Sequence, residues 1–185
     1  YFPLYGPDAT LVGGEARYYP CLFEDEFIPS VESLESIVDE NTVAILYNFP
    51  SNPTGGTLTP QQRDELLDFA KRHDLWIISD EVYDRIVFGE EHVSFMGTGY
   101  EKILIVNSFS KTFAMTGWRI GYIISTNLEA MKQVIKIQYY ISACSNDAMQ
   151  YAVLEAMEKA NDYPDMMAKE FQQRCDLIVD RRTAM

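Results

Sequence analysis

Residues 102–121 read KILIVNSFSKTFAMTGWRIG, and the reading of the first six decides the fold. Ile103 to Asn107 is a short apolar run that ends in polar residues, too brief for a helix and typical of a strand buried in a parallel sheet. It delivers one lysine, Lys111, to the polar turn that follows. A single loop lysine is far more often a solvated charge than a catalyst, so the weight of this lysine depends on the rest of the chain.

Working outward, similar runs recur at Ala16 to Tyr19, Val43 to Tyr47, Leu75 to Ser79 and Ile120 to Ile124. Helical patterns separate them, and such alternation predicts an α/β fold, a mostly parallel sheet covered by helices. In TPQQRDELLDFAKRHD, Thr59 suits a helix cap, Pro60 the first helical position and Gln62 the far side of a capping box. Leu66, Leu67, Phe69 and Ala70 would then face the sheet. A shorter helix is expected from Ser30 to Val38. Later ones are expected around Met131, Val134, Ile135 and Gln138, and around Met149, Ala152, Val153 and Ala156. These stripes, and Phe171, Cys175 and Ile178 beyond them, are read as core. The chain opens on Tyr1 and stops within a helical pattern at Met185, so a piece of a longer protein is expected.

Composition removes several function classes. The 185 residues are 47% apolar, and 15 basic against 28 acidic residues give a net charge of −13, which repels nucleic acid and anionic membrane surfaces. No apolar run reaches membrane-spanning length, and YFPLYGPDAT lacks the parts of a signal peptide. Cys21, Cys144 and Cys175 are odd in number and widely spaced, which favours reduced thiols and a cytoplasmic location. Only His73 and His92 supply imidazoles, so no metal site is expected and both are read as surface residues.

In open α/β sheets, ligands gather beyond the carboxyl ends of strands. Three such ends are unusual here. LYNFPSNPTGG has the prolines and glycines of a fixed turn that aims the Asn52 amide inward. LWIISDEVYD ends its apolar run on Asp80 and Glu81, with Tyr83 close behind. In the opening stretch, Ser108, Ser110, Lys111 and Arg119 offer the hydroxyls, amine and guanidinium that suit a phosphate. Rival readings lack parts. No GxxxxGK[ST] accompanies the strand ending in DE, neither KTG nor SDN follows the SxxK spacing of Ser108 and Lys111, and GTG at 97–99 misses a third glycine.

What remains uses all three ends: a lysine for a Schiff base, a carboxylate for a pyridinium nitrogen, and polar partners for a phenolate and a phosphate. Those are the requirements of pyridoxal phosphate (PLP). NPTGG at 52–56, SDEVY at 79–83 and the pattern SxxKxxxxxGxRxG filled by Ser108, Lys111, Gly117, Arg119 and Gly121 together resemble the class I and II aminotransferases of the aspartate aminotransferase fold.

The resemblance covers nearly the whole chain and implies a three-layer α/β/α domain with a mostly parallel mixed sheet. It assigns Lys111 as the internal aldimine lysine and proton-transfer base, and Asp80 as the partner of the pyridinium N–H. Tyr83 and Asn52 become partners of the ring oxygen, with a cis peptide before Pro53. Ser108, Ser110 and Arg119 become phosphate ligands, and Phe2 an aromatic stacked on the cofactor. It further implies a PLP-binding large domain at 1–160, without its N-terminal strand and phosphate loop, and a helix at 161–185 leading toward an absent C-terminal small domain. A homodimer acting on amino acid and 2-oxo acid substrates completes the expectation. Two alternatives stay open: a PLP-dependent C–S β-lyase of the same fold, and the PLP-binding sensor domain of a transcription regulator.

Overall fold

The computed structural model describes residues 2–89 and 91–183. Strands β1 (Ala44–Asn48), β2 (Trp76–Asp80) and β3 (Ile103–Ser108) run parallel, and β4 (Gly121–Ile124) lies antiparallel beside β3, in the spatial order β1-β2-β3-β4. The α/β class and the mostly parallel mixed sheet are those predicted. Helices α1 (Tyr5–Leu11), α2 (Val31–Glu35), α3 (Pro60–Arg72), α4 (Phe109–Thr112), α5 (Leu128–Ser142), α6 (Asp147–Lys159) and α7 (Tyr163–Thr183) complete the order.

Helix α3 is the crossover that parallel pairing of β1 and β2 demands. It starts at the predicted capping box, where Thr59 Oγ1 accepts the Gln62 N–H at 3.2 Å and Gln62 Oε1 accepts the Thr59 N–H at 2.9 Å. Its Leu66, Leu67, Phe69 and Ala70 are buried in one cluster with Leu34 of α2 and with Ile45, Tyr47, Ile77, Ile103 and Ile105 of the sheet. Tyr47 and Phe95 stack inside it, with ring centroids 5.3 Å apart and planes 8° from parallel.

Side chains alternate across a strand, and burial follows that period. Ile77 and Ser79 of β2 and Ile103, Ile105 and Asn107 of β3 are buried on the helix-covered face, while Ile78, Asp80, Leu104, Val106 and Ser108 are half-buried on the other. The sheet therefore has a closed face and an open one. Asp80 and Ser108 end their strands on the open face.

Three expectations are corrected. Ala16 to Tyr19 joins no ladder among the described residues and is anchored through side chains: Arg17 Nη1 donates to Ile37 O and Tyr19 Oη to Leu46 O. The helix expected from Ser30 to Val38 ends at Glu35, after its cap on Ser30. The apolar stripes of the later helices are core only in part. Helix α5 has no buried residue, α6 buries only Val153, and on α7 Phe171, Cys175 and Ile178 are exposed. The helices form at the predicted periodicity, and on α6 Met149, Ala152 and Ala156 are half-buried beside Val153, while on α5 Met131 and Val134 are half-buried and Ile135 is exposed. Ala184 and Met185, at the end of the last predicted segment, lie outside the described residues. Among those residues no helix is long and apolar enough to cross a membrane, and no cluster of three or more His, Cys, Asp or Glu side chains suits a metal ion.

Candidate active site

The parallel ladder continues one residue beyond β2, where the Glu81 N–H donates to Val106 O at 2.9 Å. This fixes the backbone at Asp80, whose carboxylate stands on the open face. Its Oδ1 accepts the Val82 N–H at 3.2 Å and its Oδ2 accepts the Tyr5 hydroxyl at 2.5 Å. Burial, then the hydrogen bond to Asp80, push the Tyr5 phenol far above its ordinary range, so Tyr5 stays a donor. Two contacts leave the carboxylate further acceptor sites. Phe2 packs edge-on against Tyr5, with centroids 5.7 Å apart, and remains 42% exposed.

The turn after β1 supplies Asn52. The peptides before Pro50 and Pro53 are both cis, the second as the resemblance implies. Asn48 ties this turn to the neighbouring strand. Its Nδ2 donates to Asp80 O at 3.2 Å, and its Oδ1 accepts the Asn52 N–H at 3.0 Å. The Asn52 amide thereby reaches Tyr83, with Nδ2 3.5 Å from the hydroxyl, the outer limit of a hydrogen bond.

Lys111 comes from the opposite side. Ser108 ends β3 and caps α4, its Oγ accepting the Ser110 N–H at 3.2 Å. That turn lifts Lys111 until Nζ lies 5.3 Å from the centroid of the Tyr83 ring. Asn52, Tyr83 and Lys111 are thus contiguous, beside the strand end that carries Asp80. Arg119 is placed differently: it is exposed, has a left-handed backbone (φ 55°), and its Nη1 donates to Thr116 O at 2.8 Å. No hydrogen bond joins it to Ser108 or Ser110 among the described residues. The two motif glycines also differ. A Cβ on Gly121 would meet Asn107 O at 2.7 Å and Ser108 Cβ at 3.1 Å, whereas one on Gly117 would meet nothing within 4 Å.

Behind these groups, on the closed face, sits a polar layer that sequence reasoning missed. Glu81, buried to 3%, accepts from Ser79 Oγ at 2.9 Å, from the Phe95 N–H at 3.2 Å and from His92 Nε2 at 2.8 Å. The surface reading of His92 is corrected: its side chain is 14% exposed because it pairs with this carboxylate. Burial pulls the Glu81 carboxyl up, but hydrogen bonds from His92, Ser94 and Ser79 outweigh it and the net displacement is downward. Asp84 behaves oppositely. Asn107 Nδ2 donates to its Oδ2 at 2.8 Å, its Oδ1 is buried without a hydrogen-bond partner, and burial holds the carboxyl above its usual range. Tyr5 and Asn48 were equally silent in the sequence, since contacts across 75 and 32 positions leave no periodic mark.

Residues 1–184 match the aminotransferase class I and II family. Among curated relatives, an aspartate aminotransferase of Thermotoga maritima is 38% identical over 183 residues, which are 98% of this chain and 48% of that protein. An aromatic-amino-acid aminotransferase of Thermococcus litoralis is 36% identical over 189 residues, covering 100% of this chain and 48% of the relative. The solved structure of an aromatic aminotransferase from Pyrococcus horikoshii superposes with a TM-score of 0.92 at 36% identity, over 99% of this chain and 50% of that one. The chain spans about half the length of the curated relatives it matches.

Proposed function

The chain belongs to the class I and II aminotransferase family, and from that premise we propose that the whole protein moves an amino group from an amino acid to a 2-oxo acid, with PLP as cofactor. The observation that carries the proposal is the approach of Lys111 Nζ to the Tyr83 ring at the strand end that carries Asp80. The donor set fits PLP chemically: a primary amine, a carboxylate with acceptor sites to spare, a phenol, an amide, two hydroxyls and a guanidinium.

When bound, the cofactor supplies a protonated aromatic ring that takes up the electron pair released at the substrate's α-carbon. The chain's residues do the rest. Lys111 would hold the group covalently through Nζ, and a free Nζ would take up and return the proton of the substrate's α-carbon. Asp80 would keep a proton on the ring nitrogen by offering it a negative charge. Tyr5, donating to Oδ2, fixes the direction in which that carboxylate faces. Tyr83 and Asn52 donate to the ring oxygen, and Phe2 supplies a flat apolar surface. Ser108, Ser110 and Arg119 would bind the phosphate, Arg119 through guanidinium N–H groups that Thr116 O does not take.

The relatives' names favour amino transfer over β-elimination or a sensor role, and aspartate and aromatic amino acids are the donors to try first. We read residues 1–160 as cofactor-binding and 161–185 as leading toward a second domain, in a cytoplasmic homodimer. The test is a transamination screen of the full-length protein with aspartate, alanine, aromatic and branched donors and 2-oxoglutarate. Glutamate formed with at least one donor, and lost in Lys111→Ala, is expected. Silence across the screen with pyruvate released from cysteine conjugates would replace the proposal with the lyase.

A further inference from the structure

The two turns that carry the candidate site are tied together from behind. Asn107, buried on the closed face, uses both ends of its amide: Nδ2 donates to Asp84 Oδ2 at 2.8 Å and Oδ1 accepts the Ser108 N–H at 2.7 Å. Ser108 in turn caps the helical turn of Lys111 through the Ser110 N–H. On the other side, Asp84 follows Tyr83 directly, and its N–H donates to Glu81 O at 3.0 Å. An unbroken run of hydrogen bonds therefore leads from the turn of Asp80 and Tyr83 to the turn of Lys111, passing under the sheet. An apolar residue would fill a buried strand position without needing partners, and Asp84 keeps one buried oxygen without a hydrogen bond. Neither fact is explained by packing alone. The ionisable side chains that act on Asp84 among the described residues include Glu81, His92 and, from β4, Tyr122.

We propose that Asp84 and Asn107 are positioning residues, a clamp that sets how Lys111 is presented to Tyr83. The proposal rests on the cofactor reading above for its consequence, but the clamp itself is a property of the chain. Neither residue touches the reacting atoms. Both act through the turns they join.

The test uses the full-length holoprotein with Asp84→Ala, Asn107→Ala, their double variant and Asp84→Asn, which keeps an oxygen for Asn107 Nδ2. Three quantities are read: the pH midpoint of the cofactor's visible absorbance, kcat and KM separately, and hydrogen exchange of the Ser108 and Ser110 amides in the cofactor-free protein. Each alanine variant is expected to move the midpoint by about half a pH unit or more. Each should also lower kcat about tenfold with KM little changed, as misplacement of a reacting group does. The double variant should add little to either single one, since the two residues act as one unit. Asp84→Asn should stay with the parent. In Asp84→Ala, the Ser108 amide, which Asp84 does not touch, should exchange about tenfold faster. A midpoint and Ser108 exchange unmoved in both alanine variants, whatever happens to the unfolding midpoint, would overturn the clamp. If the alanine variants fail to fold, Asn107→Asp keeps the volume but sets carboxylate against carboxylate, and the same two readings decide. A parent that shows no cofactor absorbance would sink the cofactor reading instead, and amide exchange would still judge the clamp.

Discussion

Asp80 and Glu81 are neighbours in sequence, yet they stand on opposite faces of the same strand end and live in different worlds. Glu81 is buried and accepts from Ser79, His92 and the Phe95 N–H. Asp80 is half-buried and accepts from Tyr5 and Val82, with acceptor sites to spare. The closed face pairs its polar groups with one another, Asp84 Oδ1 excepted, and thereby holds the strand ends in place. The open face leaves an amine, a carboxylate and a phenol with hydrogen-bonding capacity to spare, the condition for work on something that is not part of the chain.

The sharpest way to break this contrast is to exchange the two carboxylates' fates. Asp80→Ala in the full-length protein should lower turnover by about 10²- to 10³-fold, the scale for removing one preorganised electrostatic group, with a comparatively small change in the urea midpoint. Glu81→Ala should do the reverse. It leaves His92, Ser79 and an amide without their acceptor, and breaking a buried pair from one side costs about 3–5 kcal/mol. Urea titrations of both variants beside kcat/KM would show it. Turnover that fails in Glu81→Ala at unchanged stability would mean that the closed face takes part in the chemistry.

A smaller effect separates the motif glycines. Gly121 lies against Asn107 O and Ser108 Cβ, so Gly121→Ala should cost about 1–3 kcal/mol through overpacking. Gly117 has open space around its Cβ position, and Gly117→Ala should stay within about 0.5 kcal/mol. Equal losses would contradict the idea that the Lys111 turn is pinned by the close approach of β4 to β3.

The smallest effects concern acid pH. The folded-state pKa of Glu81 is depressed, so its contribution is present above the unfolded value of about 4.3 and is lost as pH falls through the lower folded value. Asp84 is raised by burial, so it binds its proton more tightly in the folded state, and stability declines as pH climbs from about 3.9 toward its folded value. Stability measured against pH should therefore fall less steeply on the acid side in Glu81→Gln, where Glu35 and Asp39 still contribute, and lose the opposing slope of Asp84 in Asp84→Asn. Identical profiles for both variants would show that the two carboxyls are not held in opposite senses.

The parts of this arrangement that lie at strand ends were legible in the sequence. An apolar run followed by Asp80 or Lys111 marks a strand and its polar exit, and the capping box of Thr59 and Gln62 marks where α3 begins. What joins the pieces was not legible. Tyr5 meets Asp80, His92 meets Glu81 and Asp84 meets Asn107 through side chains from separate elements, and no local period encodes such pairs. Burial of α5 and α7 was overestimated for a related reason. The spacing of Met131, Val134 and Ile135 specifies a helix with an apolar face, but only tertiary structure decides what covers it, and α5 has no buried residue.

The most direct measurement is the site of covalent attachment. The full-length protein loaded with PLP is reduced with borohydride, digested, and the cofactor-bearing peptide sequenced by mass spectrometry. The account predicts the added mass on Lys111 and on no other lysine, with none in Lys111→Ala. Cofactor mass on a different lysine, or undiminished labelling of the alanine variant, would contradict it.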